Sequence, residues 1–333
     1  MANQLKNPLL QIENLKVDFH TEEGMVKALD NISFTIEEGN IHGLIGETGC
    51  GKSVTSLTIL GLLDKNAIIR DGNIFYKGED ILHLSDNEKR KRIRGNEISM
   101  IFQDPGSSLN PVYTSGNQVK ESVNLYQTKD KKLAKKRVIE ELNQVKLPDP
   151  WDIYNKFPHE LSGGMKQRIM IAMMLACNSS LVLADEPTTA LDVSIQAQFL
   201  KVLQELRKEV GISMLYVTHD MAVVSEICDV VTVMYAGQIV ETAPLRNIFE
   251  NPLHPYTIGL INSVPGVKQD VENFSTIEGT VPRLINPPSG CRFHPRCSKS
   301  VDICSEKKPP LKTIRGSHQV ACHLVGGQNG SNN

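Results

Sequence analysis

Long apolar runs are missing from this chain of 333 residues. The longest, 169–184, is interrupted by Asn178, Ser179 and Ser180, and a membrane span needs about 20 apolar residues. No spanning helix is therefore expected. The first eight residues, MANQLKNP, have no apolar core of the kind a secretory signal carries, so the expectation is a soluble, cytoplasmic protein. Cysteine is scarce: seven in the whole chain are too few for a disulfide scaffold. Neither sign of charge dominates, since 36 Lys and Arg against 38 Asp and Glu leave a net charge of −2. That balance argues against a protein held to nucleic acid mainly by charge. There is no internal repeat and no sustained heptad pattern. What is present is a 40% apolar fraction, enough for a sizeable core, in a length that suits about two domains.

The body has the pattern of an α/β fold. Apolar runs at Ile41–Ile45, 181–184 and 214–217, each ending near Gly or a polar residue, predict buried parallel strands. Met165, Ile169, Ala172, Met173 and Ala176 recur at helical spacing. Segments 9–19 and 32–36 predict more exposed strands, and Val230–Tyr235 with 238–241 a hairpin through Ala236-Gly237. Between 104 and 151 the chain is polar and helical, and its lysine-rich stretch 129–137 reads as a solvated helix face. From about Val264 the chain is irregular and proline-rich, and it carries four of the seven cysteines: Cys291, Cys297, Cys304 and Cys322. The last residues, GGQNGSNN, have the composition of a disordered tail.

Gly46-Glu47-Thr48-Gly49-Cys50-Gly51-Lys52-Ser53 fits G-x-x-x-x-G-K-[ST] between an apolar strand and a helical stretch from Val54 to Leu63, the context in which this spacing binds phosphate. Glycines let consecutive backbone N–H groups turn inward, and the helix N-terminus adds its positive end. Lys52 would reach the β- and γ-phosphates and Ser53 would ligate Mg²⁺. A glycine-rich turn without a ligand is the bland alternative. Asp185 and Glu186 end the apolar run 181–184, where ligands bind in open α/β sheets. Asp185 would hold Mg²⁺ and Glu186 would polarise the attacking water. An acidic pair at a strand end is often only solvated, so its weight comes from the partnership with Lys52.

Leu161-Ser162-Gly163-Gly164-Met165 adds a second helix start rich in exposed N–H groups, with Ser162 as a good N-cap. Here the sequence resembles the ATP-binding cassette (ABC) ATPases, whose signature is LSGGQ; Met165 replaces the usual Gln. Gln103 matches the Q-loop, Ala190-Leu191-Asp192 the D-loop, His219 the switch histidine, and Phe19 the aromatic residue that stacks on adenine. The resemblance implies a P-loop, ABC-type domain with a parallel core sheet, an antiparallel β-subdomain and a helical subdomain. It adds Gly46, Gly49, Cys50, Gly51 and Val54 to the ATP contacts of Lys52 and Ser53, and Gln103 to the Mg²⁺ ligands Ser53 and Asp185. It also implies a head-to-tail pair of such domains, with Ser162, Gly163 and Gly164 of one facing the ATP of the other. Closure on the γ-phosphate and reopening after hydrolysis would then move a partner.

Asn251-Pro252-Leu253-His254-Pro255-Tyr256-Thr257 and Gly290-Cys291-Arg292-Phe293-His294-Pro295-Arg296-Cys297 are similar to the cassettes of bacterial dipeptide, oligopeptide and nickel importers. The domain reading is then 1–263 for the cassette, with its helical part about 104–178, 264–325 for a Cys-rich extension and 326–333 for the tail. Implied partners are two transmembrane permease subunits, a second ATPase subunit (a paralogue in preference to a second copy) and an extracytoplasmic substrate-binding protein, at the cytoplasmic face of the membrane. Nickel or another small solute is the alternative cargo, and a soluble ABC ATPase acting on DNA or ribosomes the remote one. The four cysteines are spaced by five, six and seventeen residues, unlike the paired C-x₂-C of a typical zinc ribbon. The resemblance implies a [4Fe–4S] cluster on them, with Zn²⁺ as the competitor and His294, His318 and His323 outside the ligand set. Since little else in the sequence would hold this tail, the metal is expected to staple it.

Overall fold

The computed structural model describes residues 8–103, 108–189, 192–263 and 277–325. The tail 326–333, Ala190 and Leu191 lie outside them. The chain divides into two compact units, 1–83 with 217–333, and 84–216.

The first unit opens with β1 (Pro8–Thr21) and β2 (Gly24–Glu37), paired antiparallel. After β3 (Ile41–Ile45) and α1 (Lys52–Leu60) come β4 (Ala67–Tyr76), antiparallel to β1, and β5 (Glu79–Asp80). These give a four-stranded sheet in the order β2-β1-β4-β5. The two N-terminal strands are less exposed than their sequence suggests. Leu10, Ile12, Leu15, Val17, Ile32 and Ile36 are all buried, because alternation places one whole face of each strand in the core.

The second unit holds β6 (Ile98–Ile101) and a helical stretch: α2 (Ser115–Tyr126), α3 (Lys131–Gln144), α4 (Pro150–Asn155) and α5 (Gly163–Leu175). Asp130 starts α3 by accepting the backbone N–H groups of Lys132 and Leu133, and Lys131, Lys132, Lys135 and Lys136 stay exposed as expected of a solvated face. Then come β7 (Leu181–Asp185), α6 (Val193–Val210) and β8 (Ser213–Thr218). β7 is parallel to β6 and every residue in it is buried, so its apolar run is continuous rather than alternating.

Returning to the first unit, α7 (Met221–Ile227) leads to β9 (Val230–Tyr235), parallel to β3, and to β10 (Gln238–Pro244), antiparallel to β9. Ala236 (φ 48°) and Gly237 (φ 81°) make the turn, and a two-residue hairpin with both residues at positive φ follows the natural twist of the strands. Two short helices follow, α8 (Leu245–Glu250) and α9 (Pro255–Asn262).

The C-terminal segment differs from its sequence reading. After the short α10 (Asp302–Glu306), β11 (Lys312–Arg315) and β12 (His318–Val320) form a hairpin, and β12 pairs with β10. Phe293 is buried against the rings of Tyr235, Tyr256 and His254, at centroid distances of 5.0, 5.3 and 5.7 Å. The Arg292 guanidinium donates to the Ala236 carbonyl and lies 3.3 Å from the Asp30 carboxylate. Buried Glu241 accepts the N–H groups of Leu253 and His254 and sits 2.7 Å from His318 Nε2. The expectation that a metal must hold this segment is thus corrected. Strand pairing, an aromatic cluster and buried polar contacts already tie it to the first unit.

Two buried histidines make this unit sensitive to acid. His42 on β3 has Nε2 2.8 Å from Thr232 Oγ1, and burial pushes its pKa down to about 4, partly opposed by a backbone hydrogen bond at Thr35. His254 accepts the Tyr256 N–H at Nδ1, and burial pushes it down to about 3. Both folded values lie below 6.5, so the unfolded chain takes up protons first and stability falls as pH drops below that point. Each histidine should remove about 1.4 kcal/mol per pH unit between roughly pH 6.5 and pH 4. Urea unfolding at about pH 7 and about pH 5 measures the slope. His42→Gln should flatten it by its own share, and equal slopes in parent and variant would assign the acid loss to other groups.

Candidate functional site

The loop between β3 and α1 is shaped by what surrounds it. A Cβ on Gly46 would stand 2.2 Å from the Met234 carbonyl oxygen, and one on Gly51 2.7 Å from Leu29 and 2.8 Å from the Ala28 oxygen. Gly51, at φ 106°, is also the N-cap of α1. No other residue allows both the close approach and the positive φ. Lys52 is nearly buried and donates from Nζ to the carbonyls of Gly46, at 2.7 Å, and Glu47, at 3.2 Å. Cys50 is wholly buried beneath the loop, and burial pushes its thiol pKa up. Thr48, Gly49 and Ser53 are exposed and Val54 is half-buried. Thus the P-loop residues expected from the motif form one turn with the open side toward solvent and N–H groups at the start of a helix, an anion-binding shape.

In the same unit, Phe19 lies half-buried on β1, opposite Val26 of β2 and Ala67 of β4. His219 is exposed in the turn between β8 and α7. The turn is rigid on both sides: Asp220 donates its N–H to Thr218 Oγ1 and its carboxylate accepts the N–H groups of Ala222 and Val223.

The second unit brings together a different set. Buried Asp185 ends β7. Glu186 follows in the left-handed region at φ 46°, a conformation costing on the order of 1–3 kcal/mol for a residue with a side chain. Its Oε2 accepts hydrogen bonds from Gln103 Nε2 at 3.2 Å and Thr189 Oγ1 at 3.1 Å. The strained backbone and two donors aim one carboxylate oxygen. Thr189 was not anticipated from the sequence; the signal was its position three residues after Glu186, within reach in a turn. Asp192, the described part of the expected D-loop, caps α6 by accepting the Ile195 N–H at 2.9 Å and the Ser194 hydroxyl at 2.7 Å. Those hydrogen bonds, the Ile195 N–H foremost, hold its pKa below the usual carboxylate range.

Ser162 caps α5 by accepting the Met165 N–H at 3.4 Å. A Cβ on Gly163 would meet nothing within 4 Å, whereas one on Gly164 would lie 2.9 Å from Ile195. Gly163 is exposed with open space beside it, while Gly164 lets the starts of α5 and α6 pack closely.

Burial pushes the Cys291 thiol up to about 11, with Cys304, Cys322 and Cys297 as lesser causes. Burial also raises Cys297 and Cys322. None of the four C-terminal cysteines is in a disulfide. However, no group of three or more His, Cys, Asp or Glu among the described residues is gathered tightly enough to hold a metal ion. His318 is engaged with Glu241, and His294 and His323 with the carbonyls of Cys291 and Lys307.

A strand–P-loop–helix unit, with an acidic pair ending a buried parallel strand and a serine-capped Gly-Gly helix start, defines an ATPase of the cassette class. Comparison with known proteins carries this further. Residues 29–189 match the ABC transporter family and 240–304 the oligopeptide/dipeptide transporter C-terminal region. The chain is 44% identical over 323 residues to a probable peptide ABC transporter ATP-binding protein, y4tR, of Sinorhizobium fredii, covering 96% of each. It is 42% identical over 315 residues to the dipeptide transport ATP-binding protein DppD of Escherichia coli, covering 95% of this chain and 96% of that one. Among solved structures, the dimeric ATP-binding cassette MJ0796 bound to ADP and phosphate superposes with a TM-score of 0.62 at 30% identity, over 71% of this chain and 99% of that one. CbiO1 of Clostridium perfringens, part of a cbiONQ transporter complex, also gives 0.62, at 27% identity, over 74% of this chain and 92% of that one. The protein belongs to the ABC transporter ATP-binding proteins, in the oligopeptide/dipeptide transporter group, and is an ATPase coupled to transport.

Proposed function

We propose that this chain is the ATP-hydrolysing subunit of a peptide importer, working as a peripheral protein at the cytoplasmic face of the membrane. The observation that carries the reading is the near-complete alignment with peptide-transport ATP-binding proteins, running through the cassette and on into the C-terminal region. No helix among the described residues is long and apolar enough to cross a membrane, which fits a subunit whose channel is built by two separate permease chains, served by a substrate-binding protein outside. A second ATPase subunit, a paralogue by preference, completes the pair.

In this reading Lys52, Ser53 and the backbone from Gly46 to Val54 bind MgATP, with Phe19 against adenine. Gln103 and Asp185 complete the Mg²⁺ shell, and Ser162, Gly163 and Gly164 face the nucleotide of the partner cassette. Glu186 orients and deprotonates the attacking water, and His219 senses the γ-phosphate. Asp192, spent on its helix cap, positions the loop between subunits. Phosphoryl transfer rests on positioning and charge stabilisation, and the two hydrogen bonds on Oε2 fix the direction in which the Glu186 carboxylate acts as a base.

For the cysteines the proposal rests on the family resemblance alone: Cys291, Cys297, Cys304 and Cys322 would hold a [4Fe–4S] cluster, with Zn²⁺ as the alternative. All four are free thiols, and since no described group is gathered tightly enough for a metal ion, binding the cluster would require them to draw together. Iron, sulfide and zinc analysis of anaerobically purified protein separates the two metals.

Transport is tested by reconstituting the chain with its permease subunits, sister ATPase and binding protein in vesicles. ATP-dependent uptake of di- or oligopeptides is expected. Uptake of nickel or another small solute without peptides would overturn the cargo and leave the ATPase class standing.

A further inference from the structure

The P-loop residue Glu47 is held by groups far away in the chain. Its backbone N–H donates to the Tyr256 hydroxyl on α9 at 2.9 Å. Its carboxylate takes both arms of the Arg296 guanidinium, with Nη1 to Oε2 at 2.6 Å and Nη2 to Oε1 at 3.1 Å. The rest of Arg296 is equally committed. Nε donates to the Glu278 carbonyl at 2.9 Å, Nη2 to the Ile277 carbonyl at 3.2 Å, and Nη1 faces the Tyr235 hydroxyl at 3.4 Å, with the guanidinium 5.7 Å above the Tyr235 ring. Only 7% of the Arg296 side chain is exposed. All the donor directions of a rigid planar fork are thereby used, and 249 positions separate the two partners.

Two physical consequences follow for the loop. First, the segment that must present N–H groups to phosphate is fixed at its first variable residue, through backbone and side chain, before nucleotide arrives; ordering already paid in the free protein is not charged to binding. Second, a carboxylate one residue after Gly46 stands beside the place a triphosphate occupies, and like charges repel. Arg296 neutralises that carboxylate with a bidentate, charge-assisted pair.

We infer that Arg296 is a positioning residue for ATP: from the C-terminal segment it orders the P-loop through Glu47 and cancels the repulsion between Glu47 and the phosphates. This rests on the P-loop reading of residues 46–53 and adds to it a dependence of nucleotide affinity on the extension.

The test uses the purified full-length chain and equilibrium binding of MgATP, with ATP hydrolysis in the assembled transporter as a second readout. Arg296→Ala should weaken MgATP binding about tenfold, raising KM with kcat changed less than about twofold, because a ground-state contact is lost. Arg296→Lys, a point charge without the fork, should fall between. Adding Glu47→Gln to Arg296→Ala should recover part of the affinity, since the uncompensated carboxylate is gone; a purely structural role for Arg296 would show no such rescue. Binding by Arg296→Ala within about twofold of the parent, or a double variant no better than Arg296→Ala, overturns the inference. Lys52→Ala is run alongside. If it still binds MgATP as the parent does, the P-loop reading itself has failed; if it loses binding while the Arg296 variants keep theirs, only the inference has failed.

Discussion

Glu186→Gln is expected to lower ATP turnover by about 100-fold or more, the scale of a lost general base, while MgATP binding stays within about twofold of the parent. The geometry argues for this separation. Gln103 and Thr189 both direct hydrogen bonds at Oε2, which fixes the orientation of the carboxylate that acts on water. An amide of the same shape keeps an oxygen for those donors and occupies the same strained backbone at φ 46°, so the loop is preserved, but it cannot take a proton. Phosphate release under single-turnover conditions, set beside equilibrium binding of a fluorescent ATP analogue, measures the two quantities separately. Turnover at the parent rate would remove Glu186 from the chemistry and move attention to His219 or Gln103.

The second large effect concerns binding. Lys52→Ala should weaken MgATP binding by about 100-fold or more, since one or two charge-assisted hydrogen bonds to phosphate, at roughly 1.5–3 kcal/mol each, go with the ammonium group. Lys52 is nearly buried and reaches across its own loop to the carbonyls of Gly46 and Glu47. A phosphate oxygen would compete with those carbonyls for the same donors. The fold should survive the change, because β3, α1 and the close contacts of Gly46 and Gly51 shape the turn without it. A thermal melt in the absence of nucleotide checks that point. Equilibrium dialysis then reads the affinity, and a loss under about fivefold would show that this loop is not where the triphosphate is held.

Wherever the controlling interactions are local, residue order alone was enough. A strand, a glycine turn and a helix start follow from the consecutive residues 41–53, and the apolar run before Asp185 reads as a buried strand, which it is. The turn of the Ala236-Gly237 hairpin, closed between Tyr235 and Gln238, and the capped start of α5 at Ser162 are equally local, since each joins residues three positions apart. Family likeness and comparison agree with that reading on the class of protein and its transport group.

The C-terminal segment shows where such reading stops. Its two short strands are too brief to carry a periodic pattern, so the pairing of β12 with β10 was not expected. Phe293 finds Tyr235 and Tyr256, Glu241 finds His318, and Arg296 finds Glu47 across separations of dozens to hundreds of residues. No spacing rule encodes such partners; they meet only when the sheet and α9 are in place.

Sequence by itself determined the chemistry carried by this protein: a phosphate loop, an acidic strand end, a signature helix and a cysteine-bearing tail, all written in contiguous residues. Tertiary structure decided what holds each of these in position, that Glu186 is aimed by Gln103 and Thr189 and that the phosphate loop is gripped by an arginine from the tail. The physical reason is range. Hydrogen bonds within a turn are dictated by neighbours along the chain, whereas burial and ion pairing depend on which surfaces the completed fold brings together.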